Sequence, residues 1–215
     1  LFNGPAGHLF TPYLAVISVL SMFYGSIVAI AQDNIKRMLA YSSISHAGYL
    51  AIGLAAGNHD AVAGVIFYLA AYTFMNLGAF GIVSLLEGKN ETNLSINSYA
   101  GLGNRKPLLS AMLAIIMFSL AGLPPFAGFF GKYYIFIAAV KSNLTWLAIL
   151  GVLSSAISVY FYLRIVVLMY FKSSENEFEI ESSNNSMLAI IFSVLVVILL
   201  GIFPGTFLDL ITKFI

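Results

Sequence analysis

Gly122-Leu-Pro-Pro-Phe-Ala-Gly-Phe-Phe-Gly-Lys132 interrupts an apolar segment that is too long for one straight membrane helix. The apolar run from about residue 108 to residue 140 would measure roughly 50 Å as a straight helix, whereas the hydrocarbon core of a bilayer is about 30 Å thick. The adjacent prolines crowd the preceding turn and remove a backbone donor, and the glycines permit unusual dihedral angles. The sequence therefore predicts a broken helix, with the break between Gly122 and Gly131.

The composition of the 215 residues is typical of an integral membrane protein with helical spans. Hydrophobic residues make up 60% and charged residues only 9%, and the mean hydropathy is +0.94. The sequence has no cysteine, which excludes disulfides, cysteine-ligated metals and thiol catalysis. The net charge of +1 gives no sign of nucleic-acid binding. Because the chain begins with Leu1 and shows no signal-peptide pattern, we expect it to be part of a longer polypeptide.

Apolar segments separated by polar turns predict about six transmembrane helices, the fourth of them broken. The fold class is therefore an all-α polytopic membrane protein. Residues 1–10 and 87–107 are predicted to be loops, and Asp33 or Asn34 is predicted to cap the second helix. The predicted spans are 11–31, 35–56, 60–86, the broken segment 108–140, 144–171 and 187–203, with an interfacial tail over 204–215.

Six spans place both ends of the chain on the same side of the membrane, and the basic residues indicate which side. The positive-inside rule assigns the face richer in lysine and arginine to the cytoplasm, or to the matrix or stroma of an organelle. Both chain ends are then expected outside. The basic loop residues of the cytoplasmic face are Lys36, Arg37, Lys89, Arg105, Lys106 and Lys172, and those of the opposite face are Lys141 and Lys213.

Lys132 follows the break and is the strongest candidate for a functional residue. A charged group on an isolated helix in lipid costs from a few to about 15 kcal/mol. Desolvation favours the neutral amine, so a lysine in the membrane can gain and lose a proton at physiological pH. The alternative is a structural ammonium bound by a carboxylate or by the carbonyls that the break frees. No carboxylate of the chain is predicted to lie at a matching depth.

A stripe of polar residues lies on the predicted second helix, because its members recur at i, i+3, i+4 and i+7. His46 is its most informative member. As a group that titrates near pH 6.5 it can pass protons along the middle of the membrane, although a hydrogen bond to Ser42 or Tyr49 explains it equally. The stripe comprises Ser42, Ser45, His46 and Tyr49.

Other polar positions have simpler interpretations. Lys36 lies at the entrance of the second helix, about 15 Å from His46, and either belongs to a proton route or anchors the helix to anionic headgroups. Arg164 is close enough to a helix end to extend its charge to the membrane surface. Hydrogen bonds between helices explain a row on the third helix, formed by Tyr68, Tyr72 and Asn76.

Several motifs are missing from the sequence. It has no glycine-rich phosphate loop, no dinucleotide-binding fingerprint, no metal-ligand spacing and no paired histidines for haem. We therefore expect this chain to move something across the membrane and to bind no cofactor or metal itself.

Two stretches resemble a known family. Asn34-Ile-Lys-Arg-Met-Leu-Ala-Tyr-Ser-Ser-Ile-Ser-His-Ala-Gly-Tyr49 and Ser119-Leu-Ala-Gly-Leu-Pro-Pro-Phe-Ala-Gly-Phe-Phe-Gly-Lys-Tyr-Tyr134 look like the antiporter-like membrane subunits of respiratory complex I. The family fold contains two inverted five-helix repeats, each with a broken fourth helix, followed by a last helix. The resemblance implies a repeat over 1–171, a polar cytoplasmic-side loop over 172–186, and a terminal helix and tail over 187–215.

The resemblance also implies roles for three residues. Lys132 would be the proton-handling lysine of the second half-channel, His46 the relay towards it, and Lys36 a polar residue near the cytoplasmic entrance. The expected activity is proton translocation in NADH:quinone oxidoreductase of the bacterial plasma membrane. The expected partners are the lipid bilayer and other membrane subunits of complex I, with NADH, FMN, iron–sulfur clusters and quinone bound in other subunits.

Two alternatives stay open at this point. One is a subunit of a multisubunit sodium/proton antiporter, which shares both stretches in weaker form. The other is a structural membrane scaffold without its own ion path, in which Lys132 and His46 would tolerate apolar replacement.

Overall fold

The computed structural model describes residues 7–87, 93–173 and 184–215 as a bundle of α-helices. Long helices pack side by side, and the third of them, His59–Leu86, contacts the second, fifth, sixth, eighth and ninth helices. A short 3₁₀ helix, Ile96–Tyr99, precedes the fourth α-helix. The α-helices in chain order are α1 (Gly7–Ile30), α2 (Ile35–Ala56), α3 (His59–Leu86), α4 (Leu102–Arg105), α5 (Pro107–Ala121), α6 (Ala127–Lys141), α7 (Thr145–Phe171), α8 (Asn184–Ile202) and α9 (Pro204–Thr212).

The surface and interior of this bundle show that it is an integral membrane protein. Large hydrophobic side chains are exposed along the outer faces of the helices, whereas His46 and Lys132 are buried. This distribution is expected when hydrocarbon, and not water, surrounds the helices. In the described part, four helices are long and apolar enough to cross a membrane: Leu9–Ile30, His59–Leu86, Thr145–Phe171 and Asn185–Ile202.

The second and fourth predicted spans are not among these four helices. The 22-residue α2 matches its predicted bounds but carries the polar stripe, and Asn34 caps it by accepting a hydrogen bond from the backbone of Arg37 (3.1 Å). The broken span forms two helices of 15 residues each, α5 and α6. The break is confirmed and is shorter than predicted, because α6 begins at Ala127, before Gly131.

Two predicted loops were wrong in part. The helix α1 begins at Gly7, inside the segment predicted to be a loop, since a proline near a helix start removes few backbone hydrogen bonds. The predicted loop 87–107 contains the 3₁₀ helix and α4, and buried Tyr99 and Leu102 join these turns to the core. Most of the predicted loop 172–186, and Lys89 of the basic face, lie outside the described residues.

The predicted interfacial tail forms a helix. Phe203 leaves the helical conformation, and α9 then packs against α3, where Phe207 and Phe67 make an edge-to-face contact at 5.7 Å. The end of α8 lies against the break in the fourth span. A Cβ atom at Gly201 would stand only 2.2 Å from the carbonyl oxygen of Pro125. The position of the tail relative to the membrane interface stays a prediction.

The two halves of the broken span are held together at Gly128. Its backbone N–H donates a hydrogen bond to the Ser119 hydroxyl at 3.0 Å. A Cβ atom at Gly128 would lie 1.8 Å from the Ser119 carbonyl oxygen, so only glycine permits this approach. The start of α6 is therefore fixed directly against the end of α5.

We expect Gly128→Ala to destabilise the subunit by about 1–3 kcal/mol or more, because α6 must move away from the backbone of α5. Thermal unfolding of the purified protein, and the amount that assembles in the membrane, measure this effect. Gly205→Ala is the matched control, since a Cβ atom there meets nothing within 4 Å. Equal stability of the two variants would contradict the close packing at the break.

Candidate functional site

Lys132 is held at the break by three hydrogen bonds to neutral groups. The residue lies in the second turn of α6 and is only 4% exposed. Its Nζ atom donates to the carbonyl oxygens of Leu120 (3.1 Å) and Ala121 (3.2 Å) and to the hydroxyl of Ser155 (2.9 Å). Among the described side chains no carboxylate forms an ion pair with it.

The carbonyl oxygens are available because of the way α5 ends. Gly122 adopts the left-handed conformation, with φ of +83°, and its N–H and that of Leu123 bond to the carbonyls of Phe118 and Ser119. The next two carbonyls have no partner within the helix. They also form the negative end of the helix dipole, which favours a cation. Of the two kinds of partner that the structural alternative named for Lys132, a carboxylate or the freed carbonyls, the structure shows the carbonyls.

His46 is buried between two tyrosine hydroxyls. It is 1% exposed, its Nδ1 atom lies 2.5 Å from the Tyr68 hydroxyl, and its Nε2 atom lies 3.0 Å from the Tyr162 hydroxyl. A neutral imidazole has one donor and one acceptor nitrogen, so one tyrosine accepts a hydrogen bond and the other donates one. The ring of Tyr72 stacks on His46 at 4.6 Å.

The predicted partners of His46 were wrong. The Ser42 hydroxyl donates instead to the Leu39 carbonyl within α2 (2.7 Å). Tyr49 meets His46 only through its ring, edge-on at 5.7 Å. The residues that bind His46 come from α3 and α7, which are far away in the sequence, and so the spacing within α2 could not reveal them.

The ring of Tyr49 lies between the two candidate groups. The Nζ atom of Lys132 stands 4.9 Å from the centre of that ring, and His46 contacts the same ring. In the described part of the chain no hydrogen bond joins His46 directly to Lys132. The structure thus brings the two residues into contact with one aromatic side chain, close enough for their charges to interact through space.

A cluster of serine hydroxyls extends from Tyr49 to α1. The Tyr49 hydroxyl lies 3.3 Å from the hydroxyl of Ser154, which lies 3.2 Å from that of Ser26. Ser26 in turn is 3.0 Å from the Ser45 hydroxyl. These buried hydroxyls bond to one another and to the Met22 carbonyl, so a hydrogen-bonded polar cluster lies in the interior beside Lys132.

The sequence model described as NADH:quinone oxidoreductase/Mrp antiporter, transmembrane, matches residues 1–158. The chain belongs to this family. NADH-quinone oxidoreductase subunit N of Trichlorobacter lovleyi is 49% identical over 197 residues, which cover 91% of this chain and 40% of that relative. The family resemblance that the two stretches indicated is confirmed.

Solved structures agree with the family assignment. A chain of respiratory complex I from Thermus thermophilus with bound aureothin matches with a TM-score of 0.81 and 33% identity, over 92% of this chain and 45% of that chain. A chain of the Mrp complex from a Dietzia species matches with a TM-score of 0.82 and 19% identity, over 94% and 46%, and shows the fold alone. This antiporter-family chain thus spans less than half the length of these three proteins.

Lys36 is not brought together with the other two predicted residues. It lies in the first turn of α2, ten residues and about 15 Å from His46. Its Nζ atom forms an ion pair with Glu87 at 2.5 Å, and the Glu87 side chain is only 15% exposed. The sequence predicts only that Glu87 opens the loop 87–107, and its contact with Lys36 follows from the packing of the start of α2 beside the end of α3.

Arg164 also has a partner. Its guanidinium lies 3.1 Å from the carboxylate of Asp33 in the turn before α2. Within the described residues no group of three or more histidine, aspartate or glutamate side chains is placed to hold a metal ion.

We expect Tyr68→Phe to cost about 1–3 kcal/mol of stability, because it leaves a buried ring nitrogen of His46 without a partner. Thermal unfolding of the purified protein measures this cost. Tyr72→Phe is the matched control: its ring also stacks on His46, but its buried hydroxyl has no hydrogen-bond partner among the described residues. If removing either hydroxyl had the same effect, the bond between Tyr68 and His46 would not hold the ring.

Proposed function

We propose that this chain carries the second antiporter-like repeat of a proton-translocating subunit of NADH-quinone oxidoreductase, most similar to subunit N. In this proposal Lys132 and His46 relay protons at the middle of the membrane, and Lys36 lies on the route from the cytoplasmic face. The observation that carries it is the burial of Lys132 at a helix break with only neutral hydrogen-bond acceptors around it.

Neutral partners suit a lysine that changes its protonation state. A carboxylate partner would hold the ammonium in its charged form. The Ser155 hydroxyl accepts a hydrogen bond from the ammonium and can instead donate one to the lone pair of the neutral amine. Both states of Lys132 therefore keep most of their hydrogen bonds, and neither one is locked by an ion pair.

His46 has the same property. In the neutral ring one phenol donates and the other accepts, whereas in the imidazolium both Tyr68 and Tyr162 accept. A change of charge on His46 thus requires only the rotation of a hydroxyl. Both groups lie against the ring of Tyr49, so they are close enough in the low-dielectric interior for a positive charge on one to disfavour a positive charge on the other. This mutual repulsion is the physical basis for passing a proton onward.

The relatives and the charge distribution support the wider assignment. The matched proteins carry the names of NADH-quinone oxidoreductase subunit N and respiratory complex I, so we assign this chain the other membrane subunits of complex I as partners. NADH, FMN, iron–sulfur clusters and quinone would then be bound by other subunits. The membrane would be the bacterial plasma membrane, with both ends of the chain on its outer face.

The same proposal divides the chain into three parts. Residues 1–171 form the antiporter-like repeat, residues 172–186 the polar cytoplasmic-side loop, and residues 187–215 the terminal helix and tail. The broken fourth span at Gly122 and the fold likeness to antiporter-like chains support this division.

A structural role for Lys132 is the second candidate function. The two carbonyl bonds at the end of α5 would fit an ammonium that only ties the broken helix together. This alternative predicts that pumping survives the loss of Lys132 as long as the subunit assembles. The two candidates therefore differ in one measurable outcome.

We expect Lys132→Ala, introduced into the full-length subunit, to abolish most NADH-driven proton pumping, because the site then has no group that exchanges a proton. Pumping is measured in sealed inverted membrane vesicles after assembly of the complex has been verified. Lys141→Ala, in the same helix, is the control, since this lysine is exposed and its ion pair with Asp60 is worth little. Full pumping by an assembled Lys132→Ala complex would overturn the relay and favour the structural role.

A further inference from the structure

A cleft of about 700 Å³ lies between α3 and α8 on the outer surface of the bundle. Its walls are mostly apolar, and Leu77 and Phe192 within them are 58% and 59% exposed. The cleft therefore opens towards whatever surrounds the helices in the membrane. It is separate from the site at Lys132, none of whose residues line it.

Asn76 stands in the wall of this cleft without a hydrogen-bond partner. It lies ten residues before Leu86, the end of α3, which corresponds to about 15 Å along the helix. Its side-chain amide offers two donors and an acceptor, and no residue in the described part of the chain bonds to it. In hydrocarbon such an unpaired amide costs several kcal/mol.

Neighbouring hydroxyl groups of the cleft need no hydrogen-bond partner from another helix. The hydroxyl of Thr73 donates to the Leu69 carbonyl, and that of Ser193 donates to the Ala189 carbonyl, both at 2.8 Å. These residues satisfy their hydroxyl groups within their own helices. Ser84 lies only two residues from the end of α3, where headgroups and water are within reach. Asn76 thus needs a partner from outside the described residues, because a position about 15 Å from the end of a 28-residue spanning helix falls within a hydrocarbon core about 30 Å thick.

The depth of Asn76 decides between the possible occupants. A lipid acyl chain could fill the apolar volume but has no hydrogen-bonding group at that level. A transmembrane helix with an amide or hydroxyl side chain satisfies both the apolar walls and Asn76, since such bonds hold helices together in membranes. We propose that this cleft seats a transmembrane helix of a neighbouring subunit, which presents a hydrogen-bonding side chain to Asn76.

The location of the cleft favours a separate subunit. The helix α1 packs mainly on α2 and α7, whereas α8 packs mainly on α3, α5 and α6, so the cleft lies at the edge of the bundle opposite α1. The matched structures are multisubunit assemblies. This docking surface does not depend on the roles proposed for Lys132 and His46, and its test does not measure pumping.

The first test compares Asn76→Leu with Thr73→Val in the full-length subunit of the native complex. Leucine has a similar size and removes the amide, and Thr73 lines the same wall but bonds to its own helix. After tagged purification through increasing detergent, we expect Asn76→Leu to retain its neighbouring membrane subunits about threefold less than the parent, or worse, because an interhelical hydrogen bond is lost. Thr73→Val should match the parent, and Asn76→Gln should restore part of the retention.

The second test identifies the occupant by cross-linking. The 215 residues contain no cysteine, so Leu77→Cys places one thiol of this chain in the cleft. A photoactivatable maleimide attached there should give a product with the combined mass of this subunit and a neighbouring membrane subunit. A product within the same subunit, or with lipid only, would overturn the proposal. Unchanged retention in Asn76→Leu would overturn it as well.

Discussion

The structure depends on one constraint: a helix that breaks inside a membrane must find partners for the backbone groups that it frees, and a buried ammonium must find acceptors. Lys132 and the end of α5 satisfy each other, since the last two carbonyls of α5 accept hydrogen bonds from the lysine on α6. The close approach at Gly128 and the left-handed turn at Gly122 both serve this contact. The prolines of the break prevent α5 and α6 from forming one continuous helix.

Charged side chains at the helix ends have different partners from ionisable side chains in the interior. Near the ends, three basic residues of the described chain pair with carboxylates: Lys36 with Glu87, Lys141 with Asp60, and Arg164 with Asp33. In the interior, Lys132 and His46 have only carbonyls, hydroxyls and aromatic rings around them. Ion pairs hold a charge in place, whereas hydroxyls can act as donor or acceptor and so tolerate either protonation state. The interior pattern is therefore suited to groups whose charge changes.

The outer surface follows the same rule that buried groups must be satisfied. The hydroxyls of Thr73 and Ser193 in the cleft bond back to their own helices, and this makes them compatible with lipid. An amide has too many donors and acceptors to satisfy within its own helix. Asn76 therefore indicates a missing partner, whereas Thr73 does not. An unpaired amide in a membrane-facing wall thus marks a surface that another protein covers.

The sequence by itself determined the class, the helix order and the position of the break, because hydropathy, segment length and the pair of prolines act locally. It also singled out Lys132 and His46 as candidates, since an ionisable residue in an apolar segment is costly wherever the segment packs. Only the tertiary structure decided their partners: Tyr68 and Tyr162 lie 22 and 116 positions from His46, and the packing of α3 and α7 brings them to it. Tyr68, Tyr72 and Asn76 are evenly spaced on one helix, yet one binds His46, one stacks on it and one faces outward. Sequence spacing orders residues around a single helix, but the neighbouring helices determine what each residue contacts.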